Sequence, residues 1–153
     1  MTTIAAPRLA TGHVGLNVSD LDRSVDFYRR ALGFDQLAAS ADDQRRWAFL
    51  GSDGKLVVTL WEQSDGAFST DTPGLHHLSF QVDSIDQVRA VERVLRELSV
   101  AFAHDGVVAH GEGVASGGIF FSDPDGIRLE VYAPSGAETA PAPSGAAPTC
   151  GFF

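Results

Sequence analysis

Apolar and polar residues alternate from 13 to 18 (His-Val-Gly-Leu-Asn-Val), the period-two pattern of a strand with one buried face. Ser19, with Asp22 three residues on, signals a helix start with acid in its first turn. Val25, Tyr28, Ala31 and Leu32 then recur at helical spacing, and Gly33 stands where a helix ends. Strand-like runs follow at about 34–40, 46–50 and 56–61, with Asp53-Gly54 turning the last two into a hairpin. The same order then recurs. Residues 77–82 alternate as a strand, and Asp83 or Ser84 opens a helix striped by Ile85, Val88, Val91, Val94, Leu95 and Leu98. Runs at about 100–103, 117–121 and 127–132 close the unit, with Asp123-Pro124-Asp125-Gly126 as the last turn. Each half is a β-α-β-β-β unit, and His77 stands 64 residues after His13, at the same place in its copy.

That repeat gives three polar residues a shared meaning. His13 and His77 each open the first strand of a module, and a pseudo-twofold pairing the modules would bring them to one cleft. Glu130 lies in the last strand, where alternation puts Arg128, Glu130 and Tyr132 on one face and Leu129 and Val131 on the other. Two imidazoles and one carboxylate suit one divalent metal ion, Fe(II) first, with Mn, Zn, Ni or Co also accommodated. Three protein ligands leave open positions for catalysis. His76, next to His77, is expected on the opposite sheet face as a structural residue.

Composition narrows the setting. The 153 residues suffice for one domain with its own core. Eleven basic against twenty acidic residues, with only Arg29-Arg30 and Arg45-Arg46 adjacent, leave no electrostatic footprint for nucleic acid. The single cysteine, Cys150, excludes an internal disulfide and makes no cysteine zinc site. No apolar run approaches the roughly 18–20 residues that span a bilayer, and 1–9 lacks a secretory signal's apolar stretch. The expectation is a cytoplasmic protein that binds neither membrane nor nucleic acid. Residues 1–9 read as an N-terminal extension, 10–133 as one domain with modules at about 10–64 and 74–133. Residues 134–153 read as a flexible Pro/Ala/Gly-rich tail. Cys150, Phe152 and Phe153 stand out in that tail, and the alternative is that the two aromatics dock in a groove.

The chain resembles the vicinal oxygen chelate superfamily, which includes glyoxalase I, extradiol dioxygenases, fosfomycin-resistance transferases, methylmalonyl-CoA epimerases and bleomycin-binding proteins. The resemblance rests on Gly12 to Asp22 (GHVGLNVSDLD), Phe27-Tyr28, Leu32-Gly33-Phe34, Gly74 to Phe80 (GLHHLSF) and Phe121 to Glu130 (FSDPDGIRLE). It implies an α+β fold in which two tandem βαβββ modules form a curved mixed sheet around a central metal-binding cleft. It also implies His13, His77 and Glu130 as the metal ligands, a small oxygenated substrate and a homodimer.

Several departures bear on the reaction. The fourth ligand position of glyoxalase I falls, by counting from the hairpin glycine, near Val58, with Glu62 as a reserve. The tyrosine that extradiol enzymes carry before their Asp-Pro turn is Phe120 here. The loop histidine that those enzymes hold beside their metal site has His110 as its counterpart, or else His104. His110, and Glu112 beside it, are the candidate proton carriers. Gly15 stands where the fosfomycin enzymes place a threonine. Trp47, Phe49 and Trp61 are candidate pocket walls, with Arg45 and Arg46 as the nearby cations. The expected function is metal-dependent chemistry on a chelated small substrate, dioxygenase ahead of glyoxalase-like lyase or isomerase. A binding protein that sequesters an antibiotic or metabolite is the rival.

Overall fold

A computed structural model describes residues 5–153. Residues 1–4 of the N-terminal extension lie outside the described residues. Module 1 runs β1 (Val14–Val18), α1 (Leu21–Leu32), β2 (Asp35–Ala39), β3 (Trp47–Ser52) and β4 (Lys55–Glu62). Module 2 runs β5 (Leu78–Gln81), α2 (Ile85–Glu97), β6 (Val108–Ala109), β7 (Gly117–Ser122) and β8 (Arg128–Ala133). The modules form two four-stranded mixed sheets, ordered β1-β4-β3-β2 and β5-β8-β7-β6. In each, the first strand pairs in parallel with the last, and the remaining ladders are antiparallel.

Both helices are bounded as their ends dictate. Asp20, rather than Ser19, caps α1 by accepting from the Arg23 N–H, because the Ser19 hydroxyl is engaged by Asp125. Gly33 (φ 69°) closes the helix in the left-handed conformation that glycine adopts without steric cost. Ser84 caps α2. Helix α1 packs on β3 and β4, α2 on β7 and β8, and the helices touch each other. One core joins the modules: Leu16, Val18, Tyr28, Leu50, Val58 and Leu60 with Val88, Leu95, Ile119, Phe121, Leu129 and Val131. The modules are also tied by polar bonds. Tyr28 donates to Asp123 (2.9 Å), and Asp125 accepts from the Ser19 N–H (3.0 Å) and Arg23 (2.9 Å).

Two expectations change. The run at 100–103 forms only a single bridge, Phe102 to Phe121, and the edge strand falls instead at Val108–Ala109. The His104-Asp105-Gly106 segment, with Gly106 at φ 68°, turns the chain between that bridge and the edge strand. Residues 134–153, expected as a flexible tail, are packed on module 2. The Ala109 N–H donates to Pro141 O, the Ala137 N–H to Ala115 O, and the Glu112 N–H to Gly145 O. Ala137 sits where a side chain on Gly117 would stand. No helix among the described residues is long and apolar enough to cross a membrane.

Candidate metal centre

Each sheet has one face turned to the helices and one turned away. In β8 the helix side takes Leu129 and Val131, both in the core, so Arg128, Glu130 and Tyr132 occupy the other face. Glu130 pairs with Ser79 on β5 and with Phe120 on β7. Its side chain is only 3% exposed, and among the described residues no arginine, lysine or backbone N–H meets it. Its partners are two imidazoles: His77 Nε2 lies 3.5 Å from Oε2, and His110 Nε2 hydrogen-bonds Oε1.

The loop after β6 supplies His110, which its backbone fixes by accepting from the Thr149 N–H and donating to Ser116 O. Its Nδ1 pairs with the Ser116 hydroxyl at 2.8 Å. In a neutral ring whose Nε2–H donates to Glu130, Nδ1 is the acceptor and Ser116 the donor. His77 is oriented by a different neighbour. His76 lies beside it rather than on the opposite face, with 2.8 Å between the two Nδ1 atoms. Alternation misplaced His76 because β5 begins only at Leu78, so the preceding residues are free of the strand's pleat. The contact leaves His77 Nε2 facing Glu130. Burial lowers the His77 pKa, with the Glu130 charge opposing that shift. A neutral imidazole with a free lone pair is the form that ligates a metal.

His13 does not join this group in the single chain. It is exposed just before β1 in the other sheet and shares no hydrogen bond or ion pair with His77 or Glu130. Among the described residues no three His, Cys, Asp or Glu side chains lie close enough to hold one metal ion. Glu112 is exposed, its carboxylate beside Gly145, and it shares no hydrogen bond or ion pair with His77, His110 or Glu130. His104 lies against the Phe120 ring (5.5 Å) with its Nε2 buried and unpaired.

The ladder corrects the fourth ligand position. Ser79, two residues after His77, pairs with Glu130, and Gly15, two residues after His13, pairs with Thr59. Thr59, not Val58, is therefore the counterpart of Glu130, while Val58 corresponds to Leu129 in the core. Counting from the hairpin glycine slipped by one because a bulge at Leu50/Gly51 lengthens the first hairpin. The correspondence extends outward: Phe49 pairs with Thr59 as Phe120 pairs with Glu130. Trp61 donates from Nε1 to Thr59 Oγ1 (3.0 Å), and Trp47, Phe49 and Trp61 form one ring cluster on this face. Glu62, the reserve ligand, is engaged by other partners. It accepts from the Leu21 N–H (2.6 Å) at the start of α1 and pairs with Arg46 (3.2 Å).

Sequence reasoning missed the C-terminal segment's part in this face. Burial, and after it the Glu130 charge, raises the Cys150 pKa. The Phe153 ring lies 5.6 Å from His77 and 5.2 Å from Phe120. The pair of terminal aromatics was the available signal, and docking stood only as the alternative to a flexible tail.

Comparison with known proteins agrees with the fold and the repeat. Residues 10–131 match the family model described as the Glyoxalase/Bleomycin resistance protein/Dioxygenase superfamily. Catechol-2,3-dioxygenase of Bacillus subtilis is 30% identical over 129 residues, which cover 80% of this chain but 40% of that protein. The chain thus spans well under half the length of that relative. Lactoylglutathione lyase of Neisseria meningitidis serogroup A is 31% identical over 124 residues, 77% of this chain and 86% of the lyase. Among solved structures, a glyoxylase/bleomycin resistance protein/dioxygenase domain from Frankia sp. EAN1pec aligns with a TM-score of 0.72 and 29% identity, covering 83% of this chain and 98% of that one. The fosfomycin resistance protein FosX from Listeria monocytogenes, solved with Mn(II) and sulfate, shares the fold at a TM-score of 0.61 and 21% identity, over 84% and 95% of the two chains. This chain belongs to the glyoxalase/bleomycin resistance protein/dioxygenase superfamily.

Proposed function

We propose that the protein is a metal-dependent enzyme whose centre takes His77 and Glu130 from one copy and His13 from a second copy, in a homodimer. The observation that carries this reading is Glu130: a buried carboxylate whose charged partners among the described residues are two imidazoles. Such a charge is costly to bury without a cation, and the donor set of nitrogen and carboxylate oxygen fits a divalent ion, Fe(II) first. His13 stands exposed in the first module of the same chain, away from Glu130. Stacking that face on module 2 of a second copy completes the ligand set, and a twofold axis does so twice.

A bound metal would supply Lewis acidity toward two neighbouring oxygens of a small substrate, or a site for dioxygen. The chain's own residues do the rest. His110 donates to Glu130 and keeps its carboxylate aimed, and Ser116 fixes the His110 tautomer. On releasing Glu130, His110 Nε2 is the group assigned to accept or return a proton. Phe120 borders the carboxylate with a hydrocarbon ring, excluding water from that side. Thr59, a neutral residue at the counterpart of Glu130, holds the protein ligands to three, which favours dioxygenase over glyoxalase-like lyase or isomerase chemistry.

Metal analysis of protein purified without chelator, before and after reconstitution with Fe(II), tests the reading. About one equivalent per chain is expected, abolished by His77→Ala. Less than about a tenth of an equivalent after reconstitution with any divalent transition metal would instead point to a sequestering binding protein.

A further inference from the structure

The face that carries Glu130 already holds an aromatic ring. Thr149, wholly buried, anchors the C-terminal segment by donating its hydroxyl to Ala109 O (2.7 Å) and its N–H to His110 O (2.9 Å). A short 3-10 turn, Thr149–Gly151, follows. Phe152 then points to solvent, 56% exposed, whereas Phe153 turns inward. Its ring meets Phe120 edge-on (5.2 Å, 78°), lies tilted against His77 (5.6 Å, 37°) and touches His76 (6.3 Å). The Arg128 guanidinium stands 5.4 Å from the ring centroid. Two of these neighbours also border Glu130: Phe120 pairs with it across the ladder, and His77 lies 3.5 Å from it.

Aromatic edges, imidazole faces and a guanidinium are the partners that a flat ring prefers. The tip is held differently from the rest of its segment. Residues up to Thr149 are fixed to module 2 by main-chain bonds and a buried hydroxyl. The Gly151 and Phe152 N–H groups instead bond back within the turn to Pro148 O and Thr149 O, Gly151 is unobstructed and Phe152 is solvated. Phe153 can therefore leave by rotation about the Phe152 backbone, or about Gly151 with loss of the Phe152–Thr149 turn bond, while Thr149 stays seated.

We propose that His76, His77, Phe120 and Arg128 form an aromatic-ring subsite, that Phe153 is its internal occupant, and that a planar aromatic ligand bearing an anionic group displaces it. The slot takes the ring, and Arg128 receives the anion. This deepens the proposed enzyme site, on which it rests for its place beside the reacting centre. The occupancy of the slot by Phe153 taxes every external ligand: a tip seated about nine-tenths of the time weakens apparent affinity about tenfold.

Calorimetric titration of 4-nitrobenzoate into chelator-treated protein tests the subsite without any metal. Phe153→Ala is expected to bind about tenfold tighter than the parent, and Phe152→Ala like the parent. Arg128→Ala in the Phe153→Ala background is expected to lose most of that gain, and cyclohexanecarboxylate to bind more weakly than the aromatic acid. Equal or weaker binding by Phe153→Ala, or no binding to any variant, overturns the proposal. Co(II) titration of the same proteins separates the two readings. Absence of Co(II) binding with the Phe153→Ala gain intact sinks the metal centre and leaves the subsite standing. Co(II) binding without that gain does the reverse.

Discussion

Thr59 and Glu130 occupy the same station in the two modules, each paired with the residue two places beyond a leading histidine. One is a ligand-capable carboxylate and the other a hydroxyl engaged by Trp61. The difference sets the ligand count of the proposed centre. Thr59→Glu is expected to raise Co(II) affinity at least about tenfold, since ligand charge count tunes metal affinity. It should also move the cobalt absorption spectrum toward higher coordination. Titration followed at the d–d bands reads both, and an unchanged spectrum would place Thr59 outside the centre.

His110 and Ser116 form a relay that ends on Glu130. Removing an outer partner of a metal ligand costs about 10–100-fold in affinity or activity. His110→Ala and Ser116→Ala are therefore expected to weaken Co(II) binding, with the histidine change the larger. A competition titration against a chromogenic chelator measures each. His110→Gln, which restores a donor, should recover part of the loss.

The division of ligands between copies has a distinctive signature. His13→Ala and His77→Ala proteins should each be metal-poor alone. After random exchange of subunits, about a quarter of the parent's metal content should return, because half the dimers are mixed and one of their two sites is whole. Mixing that restores nothing would confine the ligands to a single chain.

The lowered His77 pKa gives a pH dependence of known sign. Its folded value lies below the ordinary 6.5, chiefly through burial. The native state therefore binds this proton less readily than the unfolded chain does. That contribution to stability is present above the ordinary value and is lost as pH falls through the lowered one. The urea midpoint of metal-free protein should fall on acidification from about pH 7 to about pH 5. His77→Ala should show a shallower fall. Metal binding should persist slightly below the ordinary histidine range for the same reason.

Much of this was legible from residue order. The alternation from Val14 to Val18 and again from Leu78 to Gln81, the helical stripes, and the Asp53-Gly54 and Asp123–Gly126 turns each produced the element they signalled. The face of Glu130 followed from the strand period, whereas its association with His77 was read from the repeat and the family resemblance. Three features escaped for identifiable reasons. His76 precedes its strand and so did not obey the pleat. Thr59 was displaced in the count by a bulge, which inserts a residue without altering composition. The C-terminal segment was judged by its scarcity of large apolar side chains, yet it is held mainly through its backbone, against the edge near Ala109. Small residues lose little side-chain entropy on ordering, and an unpaired strand edge accepts a neighbour whatever its side chains are.

The bonds from Tyr28 to Asp123 and from Ser19 to Asp125 join residues 95 and 106 positions apart. Contacts of such separation form late, because the loop must close before they repay the cost of closing it. On the ribosome, the first helix emerges long before the turn that receives Tyr28 and clamps Ser19. The first module must therefore wait for nearly the whole of the second to be synthesised. Its maturation is timed by translation of residues 123–125, and a pause upstream of them would prolong the interval in which its apolar face is uncovered.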